Sequence, residues 1–359
     1  MTPPTIGRPP RTALRRALTG RVARGVLTVA VVVAVFAGVL PQLTDYGEAW
    51  ALVTATSGTE TAAIAVLAAV SVFSYAPVWM AAVPGLTLGR AVLADQASTA
   101  ISNTVPVGFA FGVGTVAAMY HSFGFSAAMI ARAVALTGLW NNLVKLATPA
   151  VALAGLAVVS DTTPVLTLAA GLGSATLLVV AGALLAVVTH ERAAAVLSRS
   201  AERAAGAVLR PFGRPAPSGW VARVERFRVD SLDLLQHRWL SLTLTTVVNQ
   251  AVLFVLLLVC LRAVGGAEAD VHWLVVLAVF SVTRLVTAVP ITPGAVGVAE
   301  LSYVAGLTAV GVASAAAAGT VLVFRFLTWF LPIPLGVVAW LLWRRGVGRA
   351  PAAAGQAAG

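Results

Sequence analysis

Residues 239–263 read WLSLTLTTVVNQAVLFVLLLVCLRA, and no charged side chain interrupts them before Arg262. A hydrocarbon layer about 30 Å thick is crossed by about 20 predominantly apolar residues in a helix, so this stretch is long enough to span it. Comparable runs recur at Val26–Leu40, Ala62–Val83, Ala127–Val159, Pro164–Val188, Val271–Val289 and Ala315–Trp343. The chain of 359 residues is 59% hydrophobic and 10% charged, against about 25% charged residues in a soluble domain. These features specify an all-α polytopic integral membrane protein with about 7–9 membrane segments.

Charge orients the segments. The net charge of +11 comes from Arg with a single Lys, Lys145, and most of the Arg lies between apolar runs. That distribution follows the positive-inside rule and gives no reason to expect nucleic acid as a partner. Residues 1–24 form a basic arm without acids, and the acids Asp45, Glu48 and Glu60 follow the first run, which sets the N-terminus on the cytoplasmic side. The expected organisation is a first membrane half at 25–189, an Arg-rich cytoplasmic loop at 190–238, a second membrane half at 239–343 and a cytoplasmic tail at 344–359. Within the loop, Arg192, Arg199, Arg203 and Arg210 fall on one helical face, as in a helix lying on an anionic leaflet or packed on the ends of the spans.

Five simple crossings before this loop would place it outside, so one of them is not simple. Ser98–Tyr120 is the exception expected, because SNTVPVGFAFGVG carries Pro106, Gly108, Gly112 and Gly114, which weaken a continuous helix. Irregular backbone at membrane depth persists only against protein or a watery cavity, so a broken or re-entrant segment points to an internal site. For the same reason Gly294–Gly311 is expected to cross, in whole or as a half-helix paired with other irregular backbone. Pro106-Val-Gly108 precedes Gly124-Phe-Ser by the same interval that separates Pro293-Gly294 from Gly311-Val-Ala. Interrupted segments in corresponding places of two halves mark an inverted repeat.

Ionisable groups at membrane depth cost about 2.5–3.5 kcal/mol each on insertion scales and usually pair or face a cavity. Glu300, Arg284 and Arg325 are such groups in the second half, and Arg132, Asn142 and Lys145 make part of the segment after Gly124 polar. A Glu300–Arg ion pair is the structural account. The functional one has Arg325 or Arg284 on a lipid phosphate, with Glu300 holding the Arg or taking a proton. Arg132 and Lys145 can also snorkel, and Asn141 and Asn142 can bond between helices.

The four His are scattered, Cys260 stands alone in an apolar run, and no HExxH, P-loop or GxSxG pattern occurs. No enzyme activity, metal or cofactor is expected from such a sequence.

PITPGAVGVAE (Pro290–Glu300), followed by the Gly311 turn and the Arg325 segment, resembles the flippase-like family that includes the membrane region of lysylphosphatidylglycerol synthetases. The family's Pro-Gly-Gly-x-Gly-x-x-Glu signature is met at Pro293, Gly294, Gly297 and Glu300, with Ala295 in place of the second Gly. VPVGFAFG matches the family's upstream Pro-Gly element more loosely. The resemblance implies a bacterial cytoplasmic membrane module that moves or binds a lipid, either an anionic phospholipid or a polyprenyl-linked envelope precursor. With 14 residues after Arg345, the synthetase domain of those relatives is not expected here. The alternative is a non-transporting scaffold for an envelope glycosyltransferase or lipid-modifying enzyme.

Overall fold

The computed structural model describes residues 46–105, 108–159, 220–266, 270–288 and 292–347, together with Val179 and Gly182. Pro106, the basic arm, the run at 26–40, the rest of the run at 164–188 and the Arg192–Arg210 face lie outside the described residues. Within them the chain is helical and has no strand. In order come α1 (Tyr46–Thr54), α2 (Gly58–Ser74), α3 (Ala76–Ala82), α4 (Leu88–Thr104), α5 (Gly108–Ser122) and α6 (Ala127–Val159). Then follow α7 (Trp220–Gly265), α8 (Trp273–Val286), a 3-10 turn (Pro293–Ala295), α9 (Val298–Ala309), α10 (Ser314–Arg325), a π-helical turn (Phe326–Phe330) and α11 (Pro332–Val347).

Among the described residues four stretches are long and apolar enough to cross a membrane: Gly58–Ala82, Ala127–Val159, Leu235–Gly265 and Ser314–Gly346. The first starts where a capping box allows. Ser57 Oγ accepts the Glu60 N–H, and Glu60 returns a carboxylate oxygen to the Ser57 N–H, which satisfies two N–H groups that a helix start leaves open. Helix α7 continues unbroken through residue 239, at which the second membrane half was expected to begin. Helix α10 presents Ala315–Ala318, Gly319 and Thr320, all buried, against α1 and α7. Small side chains let backbones approach, which is how helices associate where no water drives them together. A Cβ on Gly319 would lie 3.1 Å from the Ala49 carbonyl oxygen.

The remaining membrane helices form two hairpins. Helices α4 and α5 have 17 and 15 residues, and α8 and α9 have 14 and 12. At 1.5 Å per residue each limb is about 18–26 Å long, short of the hydrocarbon thickness. The first hairpin closes tightly because Gly108 and Gly112 face Ser98 and Ser102, and a Gly108 Cβ would sit 2.5 Å from the Ser102 carbonyl oxygen. In the second, Gly306 faces Val279. The expected break within Ser98–Tyr120 therefore lies between Thr104 and Gly108, and the half-helix expected after Gly294 is α9. The expectation of a simple crossing at Val271–Val289 is corrected: α8 ends at Val286, too short to span, and the chain turns back to α9.

The two halves repeat this plan. Each hairpin leads through a glycine turn into a long helix, and the two turns share their bonds. Gly124 has φ +93° and Gly311 +98°. Phe125 N donates to Tyr120 O at 3.2 Å, and Val312 N donates to Leu307 O at 3.1 Å, the six-to-one closure of a helix C-terminus that needs a left-handed residue. Contacts cross between halves reciprocally: α4 packs on α11, and α8 packs on α6. Both pairs are antiparallel, since Asn103 meets Trp329 while Ala100 meets Gly336, and Leu274 meets Gly155 while Arg284 lies toward Lys145. Helix α4 runs with α6, two turns later in the chain, so α4 and its counterpart α8 point in opposite directions. The hairpins enter from opposite ends of the bundle, the geometry of an inverted repeat.

Candidate functional site

The hairpin tips meet. Asn103, one residue before the end of α4, donates from Nδ2 to the Trp329 carbonyl at 2.9 Å. Gly294, in the tip of the second hairpin, lies against the Trp329 indole and 3.1 Å, measured from an added Cβ, from Asn103 Oδ1. Only glycine leaves room for that ring. The tip bends sharply: Gly294, Ala295 and Gly297 have φ of +57°, +55° and +86°, with Thr292 Oγ1 donating to the Val296 carbonyl at 2.8 Å.

Glu300 and Arg325 hold this bend. Glu300, 2% exposed, accepts the Gly297 N–H on Oε2 at 2.6 Å and Arg325 Nε on Oε1 at 2.6 Å. Arg325 Nη2 donates to the Gly294 carbonyl at 2.9 Å. The ion pair thus satisfies backbone groups that the broken helix leaves open, as buried polar groups require. Arg325 is the last residue of α10, and the π-helical turn after it carries Trp329 back to the tip. Such turns inside α-helices often mark functional sites.

Two further cations face this pair. Arg284 on α8 lies within electrostatic reach of Arg325, Tyr303 and Tyr75, and Lys145 on α6 within reach of Arg284. Arg284 Nε is buried without a hydrogen-bond partner, as is Trp329 Nε1. The Arg284 guanidinium lies over the Phe280 ring at 5.9 Å, and among the described residues neither it nor Lys145 has an acidic partner. Of these three cations only Arg325 meets the carboxylate, and the unpartnered buried nitrogens here, Arg284 Nε and Trp329 Nε1, are both donors.

Of the residues singled out from sequence, the structure brings Glu300, Arg325, Arg284 and Lys145 together with Gly294 and Gly297. It does not bring Arg132 and Asn142 to them. Arg132 is 13 residues before Lys145 on the same helix, about 20 Å along its axis. Asn142 is exposed, and its amide donates to Gly138 O of its own helix at 2.9 Å. Its neighbour Asn141 takes the interhelical bond, from Gln250 at 2.9 Å. Sequence reasoning missed Asn103 and Trp329, and it missed Asp95, buried in the first hairpin. An Asp three residues ahead of the broken segment was the available signal. Among the described residues no three His, Cys, Asp or Glu side chains converge as for a metal. An open apolar groove of about 540 Å³ between α2 and α7, lined by Val70, Phe73, Leu244 and Val248 among others, contains none of the charged residues.

Opposed broken hairpins around a cationic cluster define a class, the helical membrane module built as an inverted repeat about a central site. The family model for the lysylphosphatidylglycerol synthase TM region matches residues 25–336, and the chain belongs to that family. No curated protein matches it in sequence.

Proposed function

We propose that this protein binds the phosphate of an anionic membrane lipid, a phospholipid or a polyprenyl-linked envelope precursor, at the hairpin tips and passes it between leaflets. The observation that carries the reading is the cluster of unpartnered donors, Arg284 Nε and Trp329 Nε1 beside Lys145, with more positive charge than Glu300 neutralises. A purely structural cluster would pair its cations, because an uncompensated buried charge costs several kcal/mol. Family membership supports a lipid-related membrane module. In this arrangement Glu300 and Arg325 shape the tip, while Lys145, Arg284 and the free edge of Arg325 meet the headgroup. The apolar groove between α2 and α7 suits an acyl chain. The protein sits in the bacterial cytoplasmic membrane with N-terminus, 190–238 loop and C-terminus inside.

Reconstituted vesicles with labelled phosphatidylglycerol test this. Lys145→Met and Arg284→Met lose no hydrogen-bond or ion-pair partner among the described residues, so both variants should express at least as well as wild type. Exchange between leaflets should fall by about tenfold or more, the equivalent of one charge-assisted hydrogen bond. Wild-type exchange in both variants would refute the site. A wild type that moves no anionic lipid yet co-purifies with an envelope glycosyltransferase would favour a scaffold.

A further inference from the structure

Helix α7 changes character at mid-depth. It reads SLTLTTVVNQ over Ser241–Gln250 and AVLFVLLLVCL over Ala251–Leu261. Gln250 lies 11 residues past Trp239, about 17 Å along the axis and near half the hydrocarbon thickness. Its last two polar residues, Asn249 and Gln250, are 5% and 4% exposed, and each bonds to a different helix. Ser74 Oγ of α2 donates to Asn249 Oδ1 at 2.8 Å, and Gln250 Nε2 donates to Asn141 Oδ1 of α6 at 2.9 Å. Lys145 is four residues after Asn141, so the two are neighbours on one side of α6. Leu274 meets Gly155 where α8 lies antiparallel on α6. Arg284 follows Leu274 by the same ten residues that separate Lys145 from Gly155, which brings Arg284 level with Lys145. A row of polar side chains thus runs from α2, around α7, to the cationic cluster.

The far end of the row opens on lipid. Ser74 lines the apolar groove of about 540 Å³ between α2 and α7, whose walls include the exposed Val70, Phe73 and Val248. The bond there is exchangeable. Ser74 Oγ has one proton and two acceptors in range, the Ser71 carbonyl at 2.9 Å and Asn249 Oδ1, so it keeps a partner when Asn249 is taken by another group. Amides both donate and accept, so phosphate and hydroxyl oxygens replace either amide bond without leaving a charge unpaired. A second bond between α6 and α7 lies off the row: Trp140 Nε1 donates to Thr243 Oγ1 at 2.9 Å, two turns before Gln250.

We propose that this row is the path of the headgroup: the acyl chains of an anionic lipid lie in the α2–α7 groove while its phosphate passes Asn249, Gln250 and Asn141 to reach Lys145 and Arg284. The proposal rests on the lipid reading above and adds to it an entrance and the residues that position the headgroup on the way. A phosphate drawn toward mid-depth needs donors at every step, because an unsatisfied polar group in hydrocarbon is costly. The amides supply them at the depth where α7 offers nothing else polar beyond Gln250. The chains meanwhile remain against Val70, Phe73 and Val248, in contact with the bilayer.

The test uses the full chain in vesicles containing labelled phosphatidylglycerol, with thermal midpoints measured alongside leaflet exchange. Asn249→Leu and Gln250→Leu keep the bulk of the side chain and remove its donors and acceptors. Each should slow exchange by about tenfold, the equivalent of one hydrogen bond. Trp140→Phe removes the off-row bond between α6 and α7 and should exchange at the wild-type rate. Equal slowing by Trp140→Phe would make the row a structural seam and overturns the proposal. A second measurement needs no variant: phosphatidylglycerol with a diazirine on its headgroup should photolabel wild-type peptides containing Asn141 and Asn249, at a depth that bulk headgroups do not reach. Labels confined to the ends of the spans overturn the proposal. Wild-type exchange in Gln250→Leu beside slow exchange in Lys145→Met overturns the path and leaves the site, whereas a wild type that exchanges no phosphatidylglycerol overturns both.

Discussion

At Ala295 the backbone takes φ +55°, a left-handed conformation that costs a side-chain-bearing residue about 1–2 kcal/mol. This is the position at which the family signature has its second glycine, so the alanine stores strain in the tip. Ala295→Gly should stabilise the protein by up to about 1 kcal/mol, the strain relieved less the extra chain entropy of glycine, read as a higher midpoint of thermal unfolding in detergent. An unchanged or lower midpoint would show the conformation to be unstrained. Glu300 and Arg325 act on the same bend from outside it. Arg325→Met leaves Glu300 buried without its cation and should cost about 3–5 kcal/mol, seen as a loss of folded protein. Arg325→Lys keeps the charge but cannot reach both Glu300 and the Gly294 carbonyl with a planar fork, so it should fold while exchanging less lipid.

Hairpins rather than spans decide the topology. Neither α4–α5 nor α8–α9 has a limb long enough to cross, so each should return to the face it entered. The base of the first hairpin is closed on itself, with the Arg90 guanidinium over Phe123 at 5.1 Å. In a Cys260→Ala background, cysteines placed at Gly89 and at Ser122 should both be labelled from the cytoplasm, and cysteines at His272 and Ala313 both from outside. All four positions are exposed. Labels on opposite faces within either pair would make that hairpin a true crossing. Labels that return both hairpins would drop them from the count, and the crossings expected from sequence at 26–40 and 164–188 would, with the four long stretches, then leave the Arg-rich loop at 190–238 on the cytoplasmic side.

Across the whole molecule, the halves are locked by each hairpin lying on the other half's long helix, and glycine sets the spacing at both contacts. A Cβ at Gly336 would strike the Gln96 carbonyl and the Ala100 methyl, on the backbone side of α4, whereas one at Gly155 would meet the Leu274 side-chain methyls, the nearest at 2.8 Å. A leucine end can rotate and a helix backbone cannot. Gly336→Ala should therefore cost about 1–3 kcal/mol by overpacking, and Gly155→Ala distinctly less, measured side by side as thermal midpoints. Equal effects would mean that the α4–α11 contact yields as readily as a side chain. The meeting of the tips depends on this lock, since Asn103 reaches Trp329 only while α4 lies on α11.

What the sequence determined by itself was the solvent, the helical class and the places where helices fail. Apolar runs such as 127–159 and 314–346 can be satisfied only as helices in lipid, and Pro293-Gly294 cannot continue one, whatever the neighbours. The equal intervals to Gly124 and Gly311 made the repeat legible, because a left-handed turn leaves a glycine behind. Partners were another matter. That Glu300 selects Arg325 and not Arg284, that Lys145 joins them from α6 while Asn142 three residues earlier faces away, and that Asp95 lies beside Tyr120 were decided by the packing of α4 on α11 and of α8 on α6. Those contacts join residues far apart in the chain through Ala, Gly and Val surfaces that look alike in sequence. Only the folded arrangement chooses among them, by which small residues let two helices approach and which buried donors then find an acceptor.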